Sequence, residues 1–309
     1  MKNKLLLLLL CNMIAVLGFA QSANGEGFNL KNKFKTLGTY LWVADGKICN
    51  AYLDFAEKNG VNEIYIFQDC ANFETPKYTE KTKSIVSNAN KRNIKIFRLI
   101  SFGKIDNFDS ITPKLDFQIN QTIEYNRSVP DSLKLAGINF DLEMLADSTG
   151  NHAARPELYQ EFADYVDSAI RKFKDKFIEH QIQIDFFIGK YDSIVNYRGE
   201  KMALFKVFVD EGERTFIQSN KKTAVEQIKY GENIVKYAKE KNKTIIYGTY
   251  TCDYPNQEEM YKQLEQMYKK MEHSHTGMQI HTLSGWYENL YSPSLECRGK
   301  KTVRACKEP

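Results

Sequence analysis

The chain has 309 residues, of which 42% are hydrophobic and 27% charged, and its net charge at pH 7 is only +4. That length and composition fill the core of one barrel of about 250 residues and leave little over, so a single domain is expected. The small charge, with no run of Lys and Arg interleaved with aromatics, excludes a nucleic-acid groove.

Lys2 and Lys4 precede an apolar stretch from Leu5 to Phe19, with Gly18 and Ala20 just before Gln21. That order predicts a secretory signal cleaved after Ala20 and a secreted or periplasmic protein. The domain plan is then residues 1–20 as signal, 21–35 as lead-in, 36–290 as barrel and 291–309 as a basic tail. Cys11 and Asn12 interrupt the apolar stretch, which falls short of the ~20 residues a span needs, so no membrane span is expected after cleavage. Bulky Leu10 before Cys11 argues against lipoprotein processing. Export permits disulfides among Cys49, Cys70, Cys252, Cys297 and Cys306, with Cys297 and Cys306 spaced to close a small loop and one cysteine left over. None has the short paired spacing of a zinc site, and no metal or cofactor is expected.

Residues 36–43, rich in aromatic and β-branched side chains, read as strand one, and 47–58 as an amphipathic helix that Asn59-Gly60 stops. Strand two covers 61–67, with Gln68 at its C-terminal end; a helix over 79–91 leads to strand three at 94–100. Pro113 is expected to break any early helix, and the apolar spacing of Phe117, Ile119, Ile123 and Tyr125 predicts one beyond it. Strand four is 135–143, a polar loop follows to 155, and Pro156 opens a helix to about 179. Strand five is 181–188; strand six is expected at 203–209, followed by Asp210, Glu211 and Glu213. A helix over 223–241, strand seven at 244–250, a helix over 257–271 and strand eight at 277–283 complete the series. Eight alternations of strand and helix predict an α/β fold, a (β/α)8 TIM barrel, because parallel strands need such crossovers. An open doubly wound sheet is the alternative, but no Gly-x-Gly-x-x-Gly turn follows strand one.

Strand four reads Leu135-Ala136-Gly137-Ile138-Asn139-Phe140-Asp141-Leu142-Glu143. A period of two puts Ile138, Phe140 and Leu142 on one face and Asn139, Asp141 and Glu143 on the other. Inward-pointing residues at the C-terminal ends of barrel strands build the active site, and Glu143 sits at such an end. The stretch resembles the chitinase-like (family 18-like) glycoside hydrolases, whose fourth strand carries Asp-Gly-x-Asp-x-Asp-x-Glu. Gly137, Asp141 and Glu143 match; Ala136 and Asn139 replace the first two acids. It is also similar to a looser group of secreted bacterial barrels reading roughly Phe-Asp-Gly-Ile-His-Leu-Asp-Val-Glu-Pro. The resemblance implies that Glu143 is the general acid. It also implies that Asp141 orients an N-acetyl group of the substrate, which itself attacks the sugar carbon.

A carboxyl at a covered strand end has its charged form disfavoured, which suits a general acid. Two side chains projecting the same way from one strand lie about 7 Å apart at their backbones, near enough for one charge to raise the other's pKa. The plain alternative is that Asp141 and Glu143 bond to nearby backbone or to an arginine such as Arg98. A retaining enzyme with its own nucleophile needs a second carboxylate across the pocket, and Asp185, Asp210, Glu211, Glu213 and Asp253 are all near predicted strand ends. Sugar faces stack on aromatic rings, so Tyr40, Trp42, Tyr250 and Trp286 join Asn139, Gln68 and His281 as expected substrate contacts, with Trp42 and Trp286 as a platform. Core packing is the competing role for both tryptophans. Three readings follow: a secreted glycoside hydrolase whose partner is an oligo- or polysaccharide, a barrel that binds glycans without cleaving them, and a structural protein of the envelope.

Overall fold

The computed structural model describes residues 29–42, 50–67, 76–144, 156–189, 191–219 and 221–288. The expected signal, the loop after strand four and the tail with Cys297 and Cys306 lie outside the described residues. The strands are β1 (Leu37–Trp42), β2 (Glu63–Phe67), β3 (Lys95–Ile105), β4 (Gly137–Met144), β5 (Gln183–Ile188), β6 (Ile194–Tyr197), β7 (Glu200–Ala203), β8 (Arg214–Gln218), β9 (Thr244–Tyr250) and β10 (Thr276–His281). Eight of them close a barrel in the order β1-β10-β9-β8-β5-β4-β3-β2, every pair parallel, as the strand-helix alternation requires. The other two form an antiparallel hairpin, β6–β7.

Among the described residues the α-helices are α1 (Asn50–Lys58), α2 (Pro76–Asn90), α3 (Phe108–Ser128), α4 (Pro156–Glu179), α5 (Leu204–Glu211), α6 (Ala224–Glu240), α7 (Gln257–Lys270) and the short α8 (Leu283–Tyr287). The period-two alternation divides the apolar residues into two cores. Ile138, Phe140 and Leu142 belong to the larger one between sheet and helices, where Phe140 stacks on Phe186 and Phe186 on Phe208. Tyr40, Tyr65, Phe97, Leu99, Phe187, Phe216 and Ile246 fill the smaller one inside the barrel.

The β6–β7 hairpin was not expected, strand eight stops at His281 and not at residue 283, and two further elements depart from the sequence reading. Residues 203–209 were expected as strand six, yet Leu204–Glu211 is the helix α5, and the sixth barrel strand is β8. A short continuous apolar run fits a buried strand and a buried helix equally. Here Leu204, Phe205, Val207, Phe208 and Val209 are buried on several sides of one short helix, capped where the Gly212 N–H bonds to the Phe208 carbonyl. Pro113, in turn, does not break α3, which starts at Phe108 and runs through it. Its ring removes one backbone bond near the start of a long helix, where Asp109 is exposed and water can meet the freed carbonyl.

Candidate active site

Asn139, Asp141 and Glu143 follow one another up the inner face of β4. The Tyr40 hydroxyl, on β1, donates to Asn139 Oδ1 at 3.0 Å. Ser101, beside Asp141 in the register of β3 and β4, donates from Oγ to Asp141 Oδ2 at 3.2 Å. Asp141 is 7% exposed, and its carboxyl is pushed up to about 7, first by burial and then by the charge of Glu143, against the Ser101 bond. Glu143, one step higher, is exposed at the mouth. The desolvation expected of Glu143 therefore falls on Asp141, because the barrel wall covers the deeper of the two.

Aromatic groups line the same end. The Tyr40 ring meets His281 edge-on at 5.4 Å, and the half-buried Tyr250 ring lies 4.5 Å from His281. Burial pulls the His281 imidazole down to about 3, so it is neutral at every physiological pH. Tyr191 was not singled out by the sequence. Its hydroxyl is raised by burial first, then by Tyr159 against a bond with the Gly189 backbone, and by smaller contributions from Asp141 and Glu143, which places it within the field of the pair. The start of α5 holds it there, the Phe205 N–H bonding to the Tyr191 carbonyl at 3.1 Å. The signal for it was position: an aromatic just past the C-terminal end of β5.

Trp286 is not a platform. It is 0% exposed on α8, outside the barrel, with its ring edge-on to Phe55 at 5.2 Å and its Nε1 donating to the Tyr261 hydroxyl at 3.2 Å. A large ring with one polar atom found a dry pocket with one acceptor, which is the core role. Trp42 ends β1, and Gln68 lies outside the described residues.

The second-carboxylate candidates also separate. Asp210 accepts from the Tyr237 hydroxyl at 2.9 Å, and Glu211 pairs with Arg198 at 2.8 Å. Glu213 accepts from the Ile184 N–H at 2.6 Å. With strand six reassigned, all three precede β8 and sit at the opposite end of the barrel from Glu143. Asp185 is inside but low. Arg214 bridges it at 2.8 Å to Glu63, also at 2.8 Å, and Tyr65 bonds to Glu63. Only Asp253 of the five follows a strand at the C-terminal end, just after β9. Arg98 leaves the pair alone: its guanidinium bonds the Gln118 carbonyl at 2.8 Å and the Thr122 hydroxyl at 3.0 Å on α3.

Among the described residues no group of three or more His, Cys, Asp or Glu is arranged to hold a metal ion, and no helix is long and apolar enough to cross a membrane. No protein-family model matches the chain, and no curated protein sequence matches it. Solved structures that share the barrel include glycoside hydrolases. A GH5-4 broad specificity endoglucanase from Clostridium longisporum matches with a TM-score of 0.52 and 11% identity, over 81% of this chain and 86% of that one. An endo-β-N-acetylglucosaminidase from Cordyceps militaris matches with a TM-score of 0.46 and 13% identity, over 80% and 81%. The spore cortex-lytic enzyme SleL of Bacillus megaterium QM B1551 gives 0.45 and 14%, over 70% of this chain and 50% of that one, so the chain spans about half its length. The closed parallel barrel is shown by its own strand order, and the likeness to the endoglucanase agrees with a (β/α)8 fold and leaves the chemistry to the residues of the site.

Proposed function

We propose that the protein is a secreted glycoside hydrolase acting on N-acetylated sugars, with Glu143 as general acid and Asp141 as the group that orients the acetamido substituent. The observation that carries this reading is the stacked pair itself: a buried carboxyl directly beneath an exposed one, at the C-terminal end of a barrel strand, where burial and the neighbouring charge push the lower one's pKa up to about 7. The acetamido oxygen attacks the anomeric carbon, the glycosidic C–O bond breaks, and the leaving oxygen takes the proton of Glu143. Asp141 accepts from the acetamido N–H while the ring forms. Water then attacks the same carbon and gives a proton back to the Glu143 carboxylate, which restores the acetamido group. The removal of Asp210, Glu211 and Glu213 to the far end, and of Asp185 to the arginine, favours this route over a protein nucleophile and leaves Asp253 as the one rival among those five.

The alternative is a glycan-binding barrel without turnover. Asn139 favours it, since an amide stands where the resembled family has an acid, and its oxygen is engaged by Tyr40. Glu143→Gln separates the two. It keeps shape and hydrogen-bonding reach but has no proton to give, so hydrolysis of N-acetylglucosamine oligomers should fall by about 10²–10⁴ while binding persists. A wild type that binds such oligomers, never cleaves them and loses nothing on this change is a lectin.

A further inference from the structure

Gln279 on β10 is 0% exposed, yet neither its Oε1 nor its Nε2 has a hydrogen-bond partner, and Nδ2 of the equally buried Asn139 has none either. Buried amides are nearly always bonded, so unpartnered ones mark a place where something else supplies the bond. Gln279 lies between Gly38 and Gly248 in the sheet. With the climb of about one residue per strand that this barrel requires, alternate strands put Asn139 and Gln279 in one tier, on opposite walls. Asp141 and His281, two residues further along the same strands, stand above them. The tier between is filled from three strands by Tyr40, Leu99 and Phe187, and only the fourth, at Gly248, contributes no side chain. Gln279 Oε1 rises to 3.1 Å from the point where a side chain on Gly248 would begin, with the Phe187 ring 3.7 Å from that point. The missing side chain lets the amide reach up toward the carboxyl pair.

We infer that Gln279 is a specificity-determining residue at the floor of the saccharide site and that its amide takes a ring hydroxyl, an assignment that rests on the saccharide reading above. A hydroxyl accepts from Nε2 and donates to Oε1 with one oxygen atom. A carboxylate would leave Oε1 unmet and would meet the charge of the acidic pair, and an ammonium would leave Nε2 unmet. Asn139 Nδ2 on the facing wall supplies one further donor.

The test uses methyl β-N-acetylglucosaminide and its 3-, 4- and 6-deoxy analogues, with affinities measured by calorimetry on the wild type and on Gln279→Met, which keeps volume without polar atoms. One deoxy analogue should bind the wild type at least tenfold more weakly than the parent, and Gln279→Met should bind that analogue and the parent alike. Gln279→Asn, one methylene short of the hydroxyl, carries the same comparison if the methionine variant does not fold. Equal binding of all four sugars by the wild type, or the same deoxy penalty retained in the variant, overturns the role of Gln279 and leaves the saccharide reading standing. Binding of none of the four overturns both.

Discussion

Asp141 links the chemistry of the site to the stability of the fold. Its carboxyl titrates near 3.8 in an open chain and is raised to about 7 here. Between those values the folded protein holds a proton that the unfolded chain releases. Stability is therefore greatest at the acid end of that window and falls as pH rises from about 4 to about 7, by on the order of 4 kcal/mol from this group. Asp141→Asn should flatten that part of the curve, as read from urea midpoints at several pH values. Parallel curves for the two proteins would mean that burial does not govern this carboxyl. The sequence displayed both acids and their common face, because a period of two is visible in eight residues. It did not display which would be covered, because cover comes from Ser101, Tyr40 and the wall of other strands, none of which is near in sequence.

Trp286 shows how an element decides what a side chain does. In a loop after β10 it would have been free to face a sugar, but Thr282 caps a short helix there, its Oγ accepting from the Gly285 N–H at 3.0 Å, and the turn swings the indole outward onto Phe55 and Tyr261. Trp286→Ala should cost about 3–5 kcal/mol in denaturant unfolding and leave sugar affinity of the folded fraction unchanged. A loss of affinity with full stability would return the residue to the site. The same lesson explains the sixth strand. Arg214-Thr215-Phe216-Ile217-Gln218 begins with an inward-pointing charge, so its pattern reads as a loop until the buried partners Glu63 and Asp185, far away in sequence, are known. The other seven strands were legible because their own residues alternate or run apolar without long-range help.

Arg214 with Glu63 and Asp185 joins β2, β5 and β8 at the lower end of the barrel, with the guanidinium also 5.1 Å from the Phe97 ring. Removing the cation alone strands two carboxylates in a dry interior. Arg214→Met should destabilise the protein by about 3–5 kcal/mol in urea unfolding, and an exposed-pair loss below 1 kcal/mol would contradict the burial. Above this arginine cluster the barrel is filled by Tyr65, Phe97, Phe216 and Ile246, so its axis is blocked below the carboxyl pair. A blocked axis makes traffic one-way in space: whatever enters past Glu143 must leave past Glu143. If the proposed hydrolysis takes place here, the sugar released from the deep end of the site competes with the next substrate for one doorway. Steady-state kinetics should show that product as a competitive inhibitor, raising KM while kcat stays fixed, where a channel open at both ends would let it depart without obstructing entry.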